Sequence, residues 1–261
     1  MTILDEIAAK TRERIAEKEQ ELPLSEIRSK AEALPAGTDF PFEKALRGED
    51  IAFICEVKKA SPSKGIIAED FPYLEIAHGY EQAGAAAISC LTEPFWFKGS
   101  DAYLREIASA VKIPVLRKDF TVNEYMIYEA KLLGASAVLL ICSILSENQL
   151  SEYLELSHSL GLSALVEAHD QAEIETALKS GARIIGVNNR NLKDFSVNVN
   201  NSASLRSLVP ADKIFVSESG IKTAADVDDL RKIGANAALI GETLMKAADK
   251  KAKLDELRGI K

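Results

Sequence analysis

Residues 51–65, IAFICEVKKASPSKG, put ionisable side chains where a buried strand should carry apolar ones. Ile51 to Val57 has the β-branched and aromatic character of such a strand, yet Glu56 and Lys58 stand at its far end and Lys59 and Lys64 follow. Side chains two apart in a strand share a face, so Glu56 and Lys58 point together toward what would otherwise be core. Burying a charge is unfavourable unless it is paired. A structural Glu–Lys pair would meet that condition. A reactive site followed by a donor-rich Ser-Pro-Ser-Lys-Gly loop would meet it too, and this second reading is favoured because the pattern recurs.

It recurs at the ends of later apolar runs. LTEPFWFKGS carries Glu93 and the cluster Phe95, Trp96, Phe97, and VLRKDF carries Arg117, Lys118, Asp119 and, with its Phe, Phe120. ALVEAH carries Glu167 and His169, and GVNNRNL carries Asn188, Asn189 and Arg190. VSESGI carries Ser217, Glu218, Ser219 and Gly220, and LIGETLM carries Gly241 and Glu242. The run ending at Cys142-Ser143 is the weakest.

Lys58 and Lys118 with Glu56, Glu167 and Glu218 in one cavity form an acid–base set, and proximity pushes their proton affinities apart. Parity turns Arg117 and Asp119 away from the face of Lys118. The surrounding carboxylates should keep Lys118 protonated, an acid and hydrogen-bond donor and not a nucleophile. Glu167 lies among Leu165, Val166 and Ala168, where desolvation is expected to raise the pKa of its carboxyl. Asn188 and Arg190 suit oxygen-rich groups, although Arg190 serves equally well as a loop clamp. Backbone amides at Gly220 and Gly241 suit a phosphate. Gly241 could instead mark a tight turn. The three aromatics at 95–97 either wall an aromatic substrate or pack on a lip.

These groups meet only if the elements place them on one edge. Apolar runs near 51–57, 86–91, 113–117, 136–142, 163–167, 183–188, 213–217 and 237–240 alternate with helical patterns. Gly84, Gly134, Gly181 and Gly234, with Gly161 as a looser copy, each end a helix and open a strand. Thr121-Val-Asn-Glu124, Ser146-Glu-Asn-Gln149 and Thr223-Ala-Ala-Asp226 read as capping boxes, and Asp70 and Ser100-Asp101 as simpler caps. Eight strand–helix units over roughly 210 residues predict a (β/α)8 barrel at residues 50–261, with its site at the C-terminal strand ends. A doubly wound open sheet is the alternative, but the chain has neither a G-x-G-x-x-G after the first strand nor a phosphate-loop motif. Residues 1–49 read as a helical extension packed on the barrel and able to cover its mouth. Pro35, Gly37 and Pro41 break it, and a short helix follows through Phe42–Arg47.

The 261 residues carry a net charge of −8, which argues against nucleic acid or an anionic membrane as partner. A phosphorylated ligand would need a basic pocket inside an acidic exterior. Cys55, Cys90 and Cys142 are odd in number and lie in apolar runs, the pattern of reduced core thiols in the cytoplasm. The first residues do not resemble a signal peptide, and no apolar run reaches membrane-spanning length. His78, His158 and His169 share no metal-ligand spacing, so neither metal nor cofactor is expected.

Taken in order, EVKKASPSKG, LTEPFWFKGS, VLRKDF, ALVEAH, GVNNRNL, VSESGI and LIGETLM resemble the indole-3-glycerol-phosphate synthase family along essentially the whole chain, extension included. The resemblance implies ring closure, decarboxylation and dehydration of 1-(2-carboxyphenylamino)-1-deoxyribulose 5-phosphate to indole-3-glycerol phosphate. It implies Lys118 as general acid and Glu167 as a second acid–base group. Glu56, Lys58, Asn188 and Ser219 complete the catalytic set, with Lys58 near the substrate's carboxylate and phosphate. Arg190, Glu218, Phe97, Phe120 and Glu93 would contact substrate. Ser61, Gly220, Gly241 and Glu242 (through its amide, where some relatives have Ser) would hold the phosphate with Lys58. A monomer or weak oligomer is expected. Competing readings are another phosphosugar barrel, including an aldolase with Lys118 as Schiff-base nucleophile, and a silent barrel that only binds.

Overall fold

A computed structural model describes residues 2–191 and 195–260. Eight parallel strands close into a barrel: β1 (Ala52–Val57), β2 (Ala87–Leu91), β3 (Val115–Lys118), β4 (Ala137–Ile141), β5 (Ser163–Ala168), β6 (Ile184–Asn188), β7 (Ile214–Glu218) and β8 (Ala237–Ile240). Each pairs with its neighbours in sequence, and β8 closes on β1 through Ala52–Ala237 and Cys55–Ile240. A hairpin of Ala60–Ser61 and Gly65–Ile66 follows β1.

Strand parity sorts the side chains into two apolar layers. Phe53, Cys55 and Val57 of β1 point outward and pack with the surrounding helices. Ala52 and Ile54 point inward, beside Leu116, Leu139, Ile141, Leu165, Ile184, Ile214, Val216 and Leu239. Continuing that inward phase by two residues reaches Glu56, Lys118, Glu167, Glu218 and Gly241, and by four from Ile184, past Gly186, reaches Asn188. The barrel core therefore changes from apolar to ionisable over one layer at the C-terminal mouth, where this fold builds sites.

Three helices precede the barrel: α1 (Ile3–Glu21), α2 (Leu24–Glu32) and α3 (Pro41–Ala45). Phe42 and Leu46 join the inward cluster with the first residues of the strands, so α3 plugs the N-terminal end. At the other end, Arg14 of α1 holds buried Asp119 through two 2.9 Å hydrogen bonds and reaches the Thr92 carbonyl at 3.4 Å. Lys18 contacts Asp101 and Glu129, both at 2.5 Å. Those ion pairs bind to fully buried Arg117 through the same two acids. The network turns outward from β3, as parity requires, and fixes α1 over the mouth.

Most helix starts agree with the local signals. Ser146 and Thr223 form reciprocal capping boxes, and Ser100 accepts the Ala102 N–H at 3.1 Å. Two caps are corrected. Helix α4 (Tyr73–Gln82) begins after Pro72 without a side-chain cap, so Asp70 lies too far back. The helix Tyr125–Leu132 begins late, with Asn123 Oδ1 accepting the Tyr125 N–H, because Thr121 and Val122 are buried at the barrel lip. The repeated glycines adopt the expected left-handed conformation, with φ of 81°, 82°, 90° and 71° at Gly84, Gly134, Gly181 and Gly234. Among the described residues no helix is long and apolar enough to cross a membrane.

Candidate active site

The mouth encloses a cavity of about 690 Å³. Lys118 stands at its floor, with Nζ 2.5 Å from Glu218 Oε2 and 3.2 Å from Glu167 Oε2. Burial disfavours its charge, but the charges of Glu218 and Glu167 outweigh that, and the amine stays protonated well above the ordinary lysine range. Neutral-pH nucleophilicity is thereby removed, as expected for this position.

The carboxylates do not behave as expected. Glu167 is pulled below its usual range: burial opposes this, but the Lys118 charge, His169 and the Asn188 amide together prevail. Burial instead pushes Glu218 up to about 7, with the Glu167 charge adding to the effect against Lys118. The difference follows from partners. Both Glu167 oxygens are met, one by Lys118 and one by Asn188 Nδ2 at 3.2 Å. Glu218 Oε1 is buried without a hydrogen-bond partner among the described residues. A proton on Glu218 is therefore the less costly arrangement. The expectation of a raised pKa at Glu167 read desolvation from its apolar strand neighbours. It missed the cross-barrel partners, which no strand sequence displays.

Glu56 and Lys58 pair as their spacing suggests, at 2.5 Å. They lie against Gly241, where a Cβ would collide with Glu56 Oε1 and sit 2.7 Å from Lys58 Nζ. A side chain at Gly241 would thus displace the ends of both members of the ion pair, and its amide opens a short helix, Glu242–Lys246. Gly186 has the same relation to Glu218, whose Oε1 fills the space a Cβ would take. Nothing in a lone Gly within β6 announced that role; the register Asn188–Glu218 creates it.

Asn188 Oδ1 also accepts the Arg190 N–H at 3.0 Å, tying the end of β6 to the following loop. Arg190 lines the cavity while its Nη1 donates to the Phe195 carbonyl at 3.1 Å, so it is both a cavity cation and a loop clamp. Ser219 lines the cavity with φ 68°, a left-handed conformation unusual for a residue with a Cβ. Gly220 follows at φ 87°. Ser61, in the hairpin, completes this side with Gly220, Gly241 and Glu242. The Glu242 carboxylate turns to Lys246 at 2.6 Å, and that hydrogen bond holds it below its usual range. Lys64, Lys222, Lys246 and Lys253 also line the mouth. The last three were not singled out from the sequence, where surface lysines carry no distinguishing pattern. They make this end basic within an acidic protein.

The opposite wall is apolar. Phe97 and Phe120 lie 6.0 Å apart between ring centroids, and Ile3, Leu4 and Ile7 of α1 face the cavity with Leu91 and Leu239. Two aromatic expectations are settled: Phe95 is exposed beneath Lys10, and Trp96 packs edge-on against Phe95, so only Phe97 of the three reaches the wall. Glu93 is corrected. Its buried carboxylate accepts the N–H groups of Phe95, Trp96 and Phe97 at 2.8, 2.8 and 2.9 Å. It shapes the loop that presents Phe97 and does not line the cavity. Asn189 is structural too, bound to Ser217, Ser219 and Ser202. His158 packs against Phe40, and burial lowers it to about 4.

The whole chain has known counterparts. A family model described as indole-3-glycerol phosphate synthase matches residues 4–257. An indole-3-glycerol phosphate synthase of Ruminiclostridium cellulolyticum is 56% identical over 98% of this chain and 99% of its own length. That of Endomicrobium trichonymphae is also 56% identical, over 98% and 99%. Among solved structures, a 3-hexulose-6-phosphate synthase superposes with a TM-score of 0.66 at 17% identity, over 80% of this chain and 99% of that one. A tryptophan synthase α-subunit of Pyrococcus furiosus gives 0.61 at 16%, over 81% and 99%. These two likenesses show the barrel fold alone. The match along residues 4–257 and the 56% identity carry the stronger conclusion: the chain belongs to the indole-3-glycerol phosphate synthase family.

Proposed function

We propose that Lys118, Glu218 and Glu167 divide the proton transfers of the family reaction, with the apolar wall holding the aryl ring and the basic end holding the phosphate. The chain is a decarboxylating lyase of tryptophan biosynthesis that acts on a phosphorylated small molecule. The geometry supports an assignment of roles. The observation that carries it is one lysine between two carboxylates of unequal proton affinity.

Ring closure joins the aryl carbon that bears the carboxylate to the ketone carbon, and negative charge develops on the ketone oxygen. Protonated Lys118 donates to that oxygen, since an alkoxide is basic enough to take the proton. Loss of CO2 returns the electron pair to the ring. Dehydration then needs a proton on the departing hydroxyl and a base for the proton lost from the new ring. Glu218, protonated near neutrality, supplies the first, and anionic Glu167 takes the second. Lys58, paired with Glu56 beside Gly241, takes the substrate's carboxylate and phosphate in this reading, which the basic lining of the mouth supports. Ser61 and the amides of Gly220 and Gly241 receive the phosphate. Phe97, Phe120 and the α1 residues exclude water around the aryl ring. Arg190, Asn188 and Ser219 position the ribulose oxygens.

The proposal extends to a cytoplasmic monomer or weak oligomer without nucleic-acid partners, in keeping with three buried free thiols and an acidic exterior. Indole fluorescence on adding the carboxyphenylamino-deoxyribulose phosphate tests activity. Glu218→Gln and Glu167→Gln separate the roles. Glu167→Gln should stall after decarboxylation and accumulate the hydroxylated intermediate. Normal turnover in that variant would move the base elsewhere, with Glu56 the first candidate.

A further inference from the structure

We propose that His169 is a positioning residue for Glu167: its imidazole, anchored on Glu173, fixes the orientation and the negative charge of that carboxylate. His169 Nε2 lies 3.5 Å from Glu167 Oε1, and Nδ1 lies 3.1 Å from Glu173 Oε2. Glu173 also accepts the His169 backbone N–H at 2.7 Å. Its own N–H is capped by Asp170 Oδ1 at 2.9 Å, so it is pinned in the first turn of the helix Gln171–Lys179. Asn201 Nδ2 donates to the His169 carbonyl at 3.2 Å and to that of Asn188 at 3.4 Å. The ring is thus held from its backbone and from one nitrogen, and its other nitrogen faces Glu167.

That second nitrogen decides the charge. Nε2 is buried and has no hydrogen-bond partner among the described residues. If the ring were neutral with its proton on Nδ1 toward Glu173, an Nε2 lone pair would face the Glu167 oxygen. An imidazolium has a proton at both nitrogens and meets a carboxylate at each. The groups around it favour that form. Glu167 comes from β5, Glu173 from the following helix, Asp170 from that helix's N-cap, and Glu218 from β7. Two cations stand against them: Lys118 beyond Glu167, and Arg190, which shares with His169 a second cavity of about 510 Å³. Burial opposes the ring's charge, but the Glu173 hydrogen bond and the charges of Glu167 and Glu173 raise its pKa above the ordinary value.

The consequence falls on the division of protons. Glu167 and Glu218 both touch Lys118, so Lys118 does not by itself tell them apart. His169 and Asn188 contact Glu167 alone. The imidazolium therefore helps to keep Glu167 the anion and leaves the proton on Glu218. This inference rests on the base role assigned to Glu167, yet its first test does not need activity. With Glu side chains ¹³C-labelled at the carboxyl and assigned through Glu167→Gln, the Glu167 resonance is titrated in the wild type, in His169→Gln and in Glu173→Gln. Removing a charge at this separation should raise the Glu167 midpoint by about one pH unit in His169→Gln, and by less in Glu173→Gln. Kinetically, His169→Gln should lower kcat about tenfold with KM within twofold, and move the acidic limb of the kcat profile upward by the same interval. Circular dichroism and thermal unfolding check that both variants are folded. An unmoved Glu167 midpoint in both variants overturns the inference. Full turnover in Glu167→Gln would instead sink the base role, while the titration still decides what His169 does.

Discussion

Replacing Lys118 by Met removes one positive charge from between two buried carboxylates and leaves the shape of the chain nearly intact. In the wild type Glu218 Oε2 and Glu167 Oε2 lie 2.5 and 3.2 Å from the ammonium. At an effective dielectric of about 20, an ion pair near 3 Å is worth roughly 5 kcal/mol before desolvation is subtracted. Stranding a buried partner typically costs about 3–5 kcal/mol. Met offers no donor, so the two carboxyls must take up protons to remain buried. The folded pKa of Glu167 then rises above its unfolded value, and that of Glu218, already above it, rises further. Groups raised in this way contribute stability that is present below the unfolded pKa and lost as pH climbs through the folded pKa. The variant should thus approach wild-type stability at pH 4–5 and lose up to about 4 kcal/mol by pH 8. Urea unfolding across that range reads the difference. Activity should fall at least about 10³-fold, from loss of the acid and of charge stabilisation at the ketone oxygen. Borohydride added to wild type with substrate should trap no adduct on Lys118 by mass spectrometry. A loss in kcat below about tenfold would refute the acid assignment, as would a reduced adduct. A stability deficit independent of pH would refute the electrostatic account.

Other perturbations probe the remaining parts. Gly241→Ala should displace the Glu56–Lys58 pair, so kcat should fall along with a raised KM; a change in KM alone would mean that Gly241 serves the phosphate and not the pair. Glu218, raised to about 7, lends stability that is complete below its unfolded pKa and lost as pH rises through about 7. Glu218→Gln should therefore gain roughly 1–3 kcal/mol relative to wild type between pH 5 and pH 8, and parallel stability curves would contradict the shift. Ile7→Ser should raise KM several-fold with little change in kcat, since Ile7 of α1 lines the apolar wall of the cavity; an unchanged KM would leave α1 a packing element only. Deleting residues 1–45 should destabilise the barrel as well as weaken binding, because Arg14 neutralises buried Asp119, and a full wild-type melting temperature would dispute that coupling.

Much of this protein was legible before any coordinates. The alternation of short apolar runs with glycine-ended helices is a local property, and it determined eight strands, their direction and the parity of each side chain. Parity alone put Glu56 with Lys58 and turned Arg117 and Asp119 away from Lys118. Local signals failed where partners come from elsewhere in the chain. Glu93 looked like a site residue because a buried acid at a strand end does, but its three donors are amides of its own loop. Gly186 looked ordinary because the group that needs its missing Cβ lies one strand away on β7. The proton moved from Glu167 to Glu218 for the same reason. A carboxyl's affinity depends on who stands within about 4–6 Å, and here those neighbours come from β3, β5, β6 and β7. Sequence determined which side chains enter the barrel. Closure of the barrel decided which of them touch, and therefore which acid keeps its proton.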